Sequence, residues 1–148
     1  MITRREATDR ILDAKEQKGF SFNAIAESVD RDVVWTTAAL LGQMKMDPSE
    51  ADRVTELLGL DEETSRALQR DPAKGSLDAA VPTDPLIYRF YELVQVYGTT
   101  LKALIHEEFG DGIMSAIDFE MRLERKADPH GDRVRITMDG KFLPYKRW

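Results

Sequence analysis

Apolar and polar positions follow a helical period through the first half of the chain and a period of two near its end. Residues 4–18, RREATDRILDAKEQK, place Ala7, Ile11, Leu12 and Ala14 near one face, the pattern of an amphipathic helix. Thr3 can cap it and Gly19 can end it. Ser21 then precedes a second helix with Phe22, Ile25, Ala26 and Val29 on its apolar face, without a capping-box acid. A third helix starts after Asp30 or Asp32 and runs through VVWTTAALLGQ. Asp47-Pro48 opens a fourth, since proline suits the first helical position; it carries Ala51, Val54, Leu57 and Leu58 and stops at Gly59. Asp61 caps a fifth, EETSRALQR. Five short helices joined by short turns predict a compact helical bundle.

Residues 71–85, DPAKGSLDAAVPTDP, break the pattern with three prolines and a glycine, which reads as a linker. Asp84-Pro85 repeats the Asp47-Pro48 signature and opens LIYRFYELVQVYG, apolar on most sides. A helix hydrophobic all round is buried all round, and cover on that scale points to partner chains. Gly98 is expected to stop this helix, with Thr99 or Thr100 capping another that runs to Gly110. From Ile113 the period becomes two. Ile113, Ser115, Ile117, Phe119, Met121 and Leu123 share one face, and Met114, Ala116, Asp118, Glu120, Arg122 and Glu124 the other. Asp128-Pro129-His130-Gly131 interrupts the run, a second strand follows with Val134, Ile136 and Met138 alternating, and Asp139-Gly140 is expected to turn into a short extended tail. A lone two-stranded ribbon is marginal in water, so it is expected to pair across an interface. The whole is an α+β chain: a helical bundle over 1–75 and a small helix-plus-strand dimerisation domain over 76–148.

Composition changes this picture in three ways. The length of 148 residues allows one ordinary domain or two small ones. With no cysteine, disulfides and thiolate chemistry are excluded, and His106 and His130 lie too far apart to make a metal-ligand spacing. The N-terminal segment MITRREATDR has no apolar run behind its charges, so it is not a signal peptide. No stretch reaches the ~18–20 apolar residues of a membrane span, and a cytoplasmic protein is the expectation.

Charge bears on the bundle. Residues 21–42 resemble a helix-turn-helix of the phage-repressor type, which suggests a transcription regulator with an oligomerisation domain. A recognition helix needs Arg, Lys, Asn or Gln aimed at base edges and phosphates. Residues 32–42, DVVWTTAALLG, contain none of them. Residues 1–75 hold 11 Lys and Arg against 15 Asp and Glu, the wrong balance for a phosphate backbone. The bundle therefore reuses that fold without nucleic-acid binding.

Candidate chemistry concentrates between Pro82 and Phe119. Arg89 and Glu92 stand at i, i+3, adjacent on a helix surface. They form either an ordinary surface ion pair or, because their helix is otherwise apolar, the lining of an anion site. Ser115 fills a slot the alternation reserves for apolar side chains. It is either a small core residue bonded to nearby backbone or a hydroxyl donor facing a ligand. No histidine is placed to activate it as a nucleophile.

YRFYE at 88–92, LVQVYGTTLKALIHEEFGDGIMSAIDF at 93–119 and ITMDGKFLP at 136–144 resemble the cyanase family, also called cyanate hydratase or cyanate lyase, and the helical first half is similar too. The resemblance implies that Arg89 and Glu92, in YRFYE, and Ser115, in GDGI-x-SAI, are the catalytic residues. It implies conversion of cyanate and bicarbonate to carbamate and carbon dioxide, with carbamate decaying to ammonia and more carbon dioxide. Bicarbonate would be a co-substrate, with no metal or organic cofactor. It also implies a decamer built as a pentamer of dimers, with active sites at subunit interfaces.

Overall fold

The computed structural model describes residues 1–75, 77 and 79–148. Ser76 and Asp78, both within the expected linker, lie outside the described residues. The chain is α+β, and the described residues form six helices and one two-stranded sheet. It divides into two compact units, residues 1–76 with 121–136, and residues 77–120 with 137–148.

The first unit holds five helices: α1 (Arg4–Lys18), α2 (Phe22–Val29), α3 (Val33–Leu40), α4 (Pro48–Leu58) and α5 (Glu62–Leu68). Each starts at the side chain expected to cap it. Thr3 and Asp47 form full capping boxes with Glu6 and Glu50, while Ser21 caps alone through Ala24 N–H. Such caps satisfy donors that the first turn leaves orphaned. Asp30 and Asp32 divide the work between α2 and α3. Asp30 closes α2 in the left-handed region at φ 56°, and Asp32 opens α3 by accepting from Val34 N–H. Aspartate tolerates that left-handed turn better than most residues.

The apolar faces converge on one core of Ile11, Ile25, Val29, Leu40, Met46, Val54, Leu58 and Leu68, each essentially buried. Arg4 ties the ends of three segments together by donating to the carbonyls of Ala39, Met44 and Ala67 at 2.9, 2.7 and 3.2 Å. Each is a charge-assisted bond to a helix-end or loop carbonyl.

The second unit is built on α6 (Pro85–Phe109), 25 residues long, and on the paired ends of β1 (Gly112–Lys126) and β2 (Arg133–Pro144). Two expectations are corrected here. Gly98 does not stop a helix: α6 runs through it without interruption, and the stop is Gly110, at φ 90°. A mid-helix glycine costs only about 1 kcal/mol, and the apolar residues on both sides keep their period. Asp139-Gly140 does not turn either, because β2 continues through it to Pro144. Gly140 has no positive φ; it is small because another strand lies close, as shown below.

No residue of α6 is buried within the single chain. Leu86, Val94, Leu104 and Phe109 all stand open. A contiguous apolar surface of this kind marks an interaction site. Among the described residues no helix is long and apolar enough to cross a membrane.

Candidate functional site

Asp84 fixes the start of α6 by accepting from the N–H groups of Leu86 and Ile87, both at 2.9 Å, with Pro85 at the first position. Arg89 and Glu92 follow one turn later. Arg89 Nη1 donates to Glu92 Oε2 in a short, charge-assisted bond. The side chains remain 67% and 45% exposed. Tyr88 and Tyr91 pack beside them with ring centroids 5.9 Å apart. The helix thus presents a preassembled guanidinium–carboxylate pair among apolar side chains. Both faces of the pair are open to whatever covers α6.

Ser115 differs from its neighbours. It is 4% exposed, whereas Ile117, two residues along the same face, is 98% exposed. Its Oγ accepts from Ile117 N–H at 3.0 Å and from Asp118 N–H at 2.9 Å. A hydroxyl folded back on its own chain in this way satisfies two backbone donors within β1. Across the sheet, a Cβ on Gly140 would lie 2.5 Å from the Ser115 carbonyl oxygen. The two strands therefore approach closely where Ser115 sits, as they also do where Gly112 of β1 meets the Leu143 carbonyl of β2.

Of the three sequence candidates, the chain joins Arg89 to Glu92 and holds Ser115 apart. The Ser115 hydroxyl bonds only to its own strand among the described residues. His106 Nε2 touches the carbonyl of Gly112, at 3.2 Å, where β1 begins. It lies 17 residues beyond Arg89 on the same helix, about 26 Å along the axis. His106 thus joins helix to sheet, and His130 lies in the turn closed by Asp128.

Two clefts lie elsewhere. One of about 450 Å³ is lined by Gly98, Lys102, His106, Met114 and Tyr145; another of about 390 Å³ is lined by Asp118, Phe119, Asp139 and Lys141. Neither contains Arg89, Glu92 or Ser115. Among the described residues no group of three His, Asp or Glu could hold a metal ion. Sequence reasoning missed Gly140 and the Ile117 and Asp118 amides. The signal for Gly140 was present but ambiguous, because Asp-Gly marks hairpin turns more often than close strand approach.

The helix-turn-helix face offers little to a nucleic acid. Arg31, between α2 and α3, is already engaged: its Nε donates to the buried Glu50 at 2.6 Å and its guanidinium lies 5.1 Å from the Trp35 ring centre.

Comparison with known proteins covers both halves. Residues 4–72 match the family described as cyanate hydratase, N-terminal, and residues 79–147 match the cyanate lyase C-terminal domain. Proteins named cyanate hydratase from Cupriavidus necator and Dechloromonas aromatica are each 60% identical over 147 residues, spanning 99% of this chain and all of theirs. A crystal structure of cyanase from T. urticae superposes with a TM-score of 0.83 at 41% identity, covering 93% of this chain and 96% of that one.

Proposed function

Because the chain belongs to the cyanate lyase family, we propose that it decomposes cyanate together with bicarbonate at an anion site built from Arg89, Glu92 and Ser115. The enzyme is a carbon–oxygen lyase acting on cyanate. The helix-turn-helix regulator reading finds no support in these relatives or in the α3 surface. The observation that carries the site is the Arg89–Glu92 pair standing on a helix with no buried residue.

The chemistry sets the demands. Cyanate and bicarbonate plus one proton give carbamate and carbon dioxide; carbamate plus a second proton gives ammonia and carbon dioxide. Two monoanions 4 Å apart repel by about 4 kcal/mol at an effective dielectric of 20. A permanent cation removes that repulsion, and the planar fork of Arg89 suits a carboxylate-like anion. Holding both reactants converts their encounter into an intramolecular step. A bicarbonate oxygen can then attack the cyanate carbon, and the nitrogen must gain a proton. Glu92 either fixes Arg89 for this task or shares in moving that proton. Ser115 supplies a hydrogen bond to a substrate oxygen or nitrogen.

Assembly completes the site in this reading. Fully burying one large apolar side chain is worth roughly 1.5–3 kcal/mol, and α6 exposes such side chains along its whole length. Self-association would cover them and bring Ser115 of one chain towards Arg89 of another. A decamer of five dimers fits the family resemblance, and bicarbonate is a co-substrate with no metal or organic cofactor required. The test is ammonia release from cyanate with and without bicarbonate, on protein sized by sedimentation. Bicarbonate-dependent release by the assembled form, and none by separated chains, is the expected result. Release that ignores bicarbonate would reject the two-anion site.

A further inference from the structure

A serine oxygen carries two lone pairs and one proton. In Ser115 both lone pairs are taken, by the N–H groups of Ile117 and Asp118. Only the proton is left for a ligand. Two donors aimed at the same oxygen also polarise its O–H bond, because hydrogen bonds in a chain strengthen one another. A hydroxyl in this state donates; it is poorly placed to attack, since attack needs a free lone pair.

What holds the hydroxyl in that state is the local path of β1, which is tight against β2 at two points, Gly112 beside the Leu143 carbonyl and Gly140 beside the Ser115 carbonyl; the second is the one at Ser115 itself. Gly140 lacks a positive φ, so its backbone does not require glycine. Space does. A Cβ there would sit 2.5 Å from the Ser115 carbonyl oxygen, 2.6 Å from Met114 Cγ and 3.2 Å from Met114 Sδ. The methionine side chain can swing away. The carbonyl cannot move without carrying Ser115 with it. We propose that Gly140 is a positioning residue for Ser115: its missing side chain lets β2 hold β1 in the local path that makes Ser115 a hydrogen-bond donor only, aimed at an anionic substrate. This rests on the reading that Ser115 touches substrate.

An alanine at 140 would push the Ser115 carbonyl outward by about 0.5 Å to reach the 3.0 Å at which real Cβ contacts begin. A misplacement of 1 Å can cost about 10²-fold in rate, so about a tenfold loss is expected from half of that. The experiment compares the full-length wild type with G140A, S115A and the double variant. Sedimentation reports assembly, ammonia release gives kcat and KM for cyanate and bicarbonate, and hydrogen–deuterium exchange follows a peptide spanning residues 116–118.

G140A is expected to assemble, to lose about tenfold in kcat with little change in either KM, and to exchange faster at the Ile117 and Asp118 amides. In the S115A background, adding G140A should change neither residual rate nor exchange further. Wild-type kcat in G140A would overturn the proposal, as would an additive loss in the double variant. If G140A does not assemble, S115A still decides the geometry, since unchanged exchange at Ile117 and Asp118 would mean the hydroxyl never bonded them. Full activity in S115A would instead reject the role of Ser115 itself, while the exchange result would continue to report on its geometry.

Discussion

Replacing Glu92 by glutamine removes one charge and keeps the shape and an acceptor oxygen. In the single chain the Arg89–Glu92 pair is largely exposed, at 67% and 45%, so its net contribution to stability is under about 1 kcal/mol. That limits the effect on folding to roughly a fivefold change in equilibrium constant. Covering α6 changes the arithmetic. Truncating one member of a buried, hydrogen-bonded charge pair costs roughly 2–5 kcal/mol, which is about 30-fold to about 5,000-fold in rate at 1.36 kcal/mol per decade. Glu92→Gln should therefore leave the fold of the single chain nearly intact, weaken assembly, and lower ammonia release per assembled protein by at least about 30-fold. The assay varies cyanate at several bicarbonate concentrations on protein whose size is checked by sedimentation. A wild-type rate with unchanged bicarbonate dependence would refute both the orienting and the proton-handling role, and with them the claim that the pair lies in a covered site.

Other expectations concern the scaffold. The Asp61 carboxyl is held below its ordinary value of 3.8, chiefly by hydrogen bonds from Thr64 and also by Arg10. Its stabilising contribution is present above pH 3.8 and fades as pH falls through the lower folded-state value, so Asp61→Ala should flatten the loss of urea midpoint on acidification below about pH 4; an unchanged slope would show those bonds to be idle. Leu40, fully buried in the bundle core, should cost about 2–5 kcal/mol as Leu40→Ala, measured by urea unfolding followed by Trp35 fluorescence. Gly98→Ala meets only Val94, at an ordinary 3.7 Å, and should raise stability by roughly 0.5–1 kcal/mol; a fall in urea midpoint would reveal another chain packed against that position.

The local rules were readable from the residues wherever they act over four or five positions. Thr3, Ser21, Asp47, Asp61 and Asp84 each sit at the helix start expected of them. Hydrophobic period located Ile11, Ile25, Val54 and Leu58 in the core before any contact was known. The polar pair on α6 and the serine in an apolar slot were visible for the same reason, as breaks in an otherwise regular pattern.

Gly98 and Gly140 show where that logic ends. A glycine letter is compatible with a helix stop, a helix interior, a turn or a close strand crossing, and the choice depends on atoms far away in sequence. At Gly98 the helical period on both sides outweighed a cost of about 1 kcal/mol. At Gly140 the deciding atom is the carbonyl oxygen of Ser115, on the other strand. The same holds for the Ser115 hydroxyl, which pattern alone left open between a satisfied core serine and a donor to a ligand. Within the chain it is satisfied as an acceptor while its proton remains to be given. Sequence determined which residues carry the charge, the caps and the apolar faces, because those are properties of each side chain and its near neighbours. Tertiary structure decided what each glycine is for and which way the hydroxyl works, because close approach and hydrogen-bond direction exist only between segments brought together by folding.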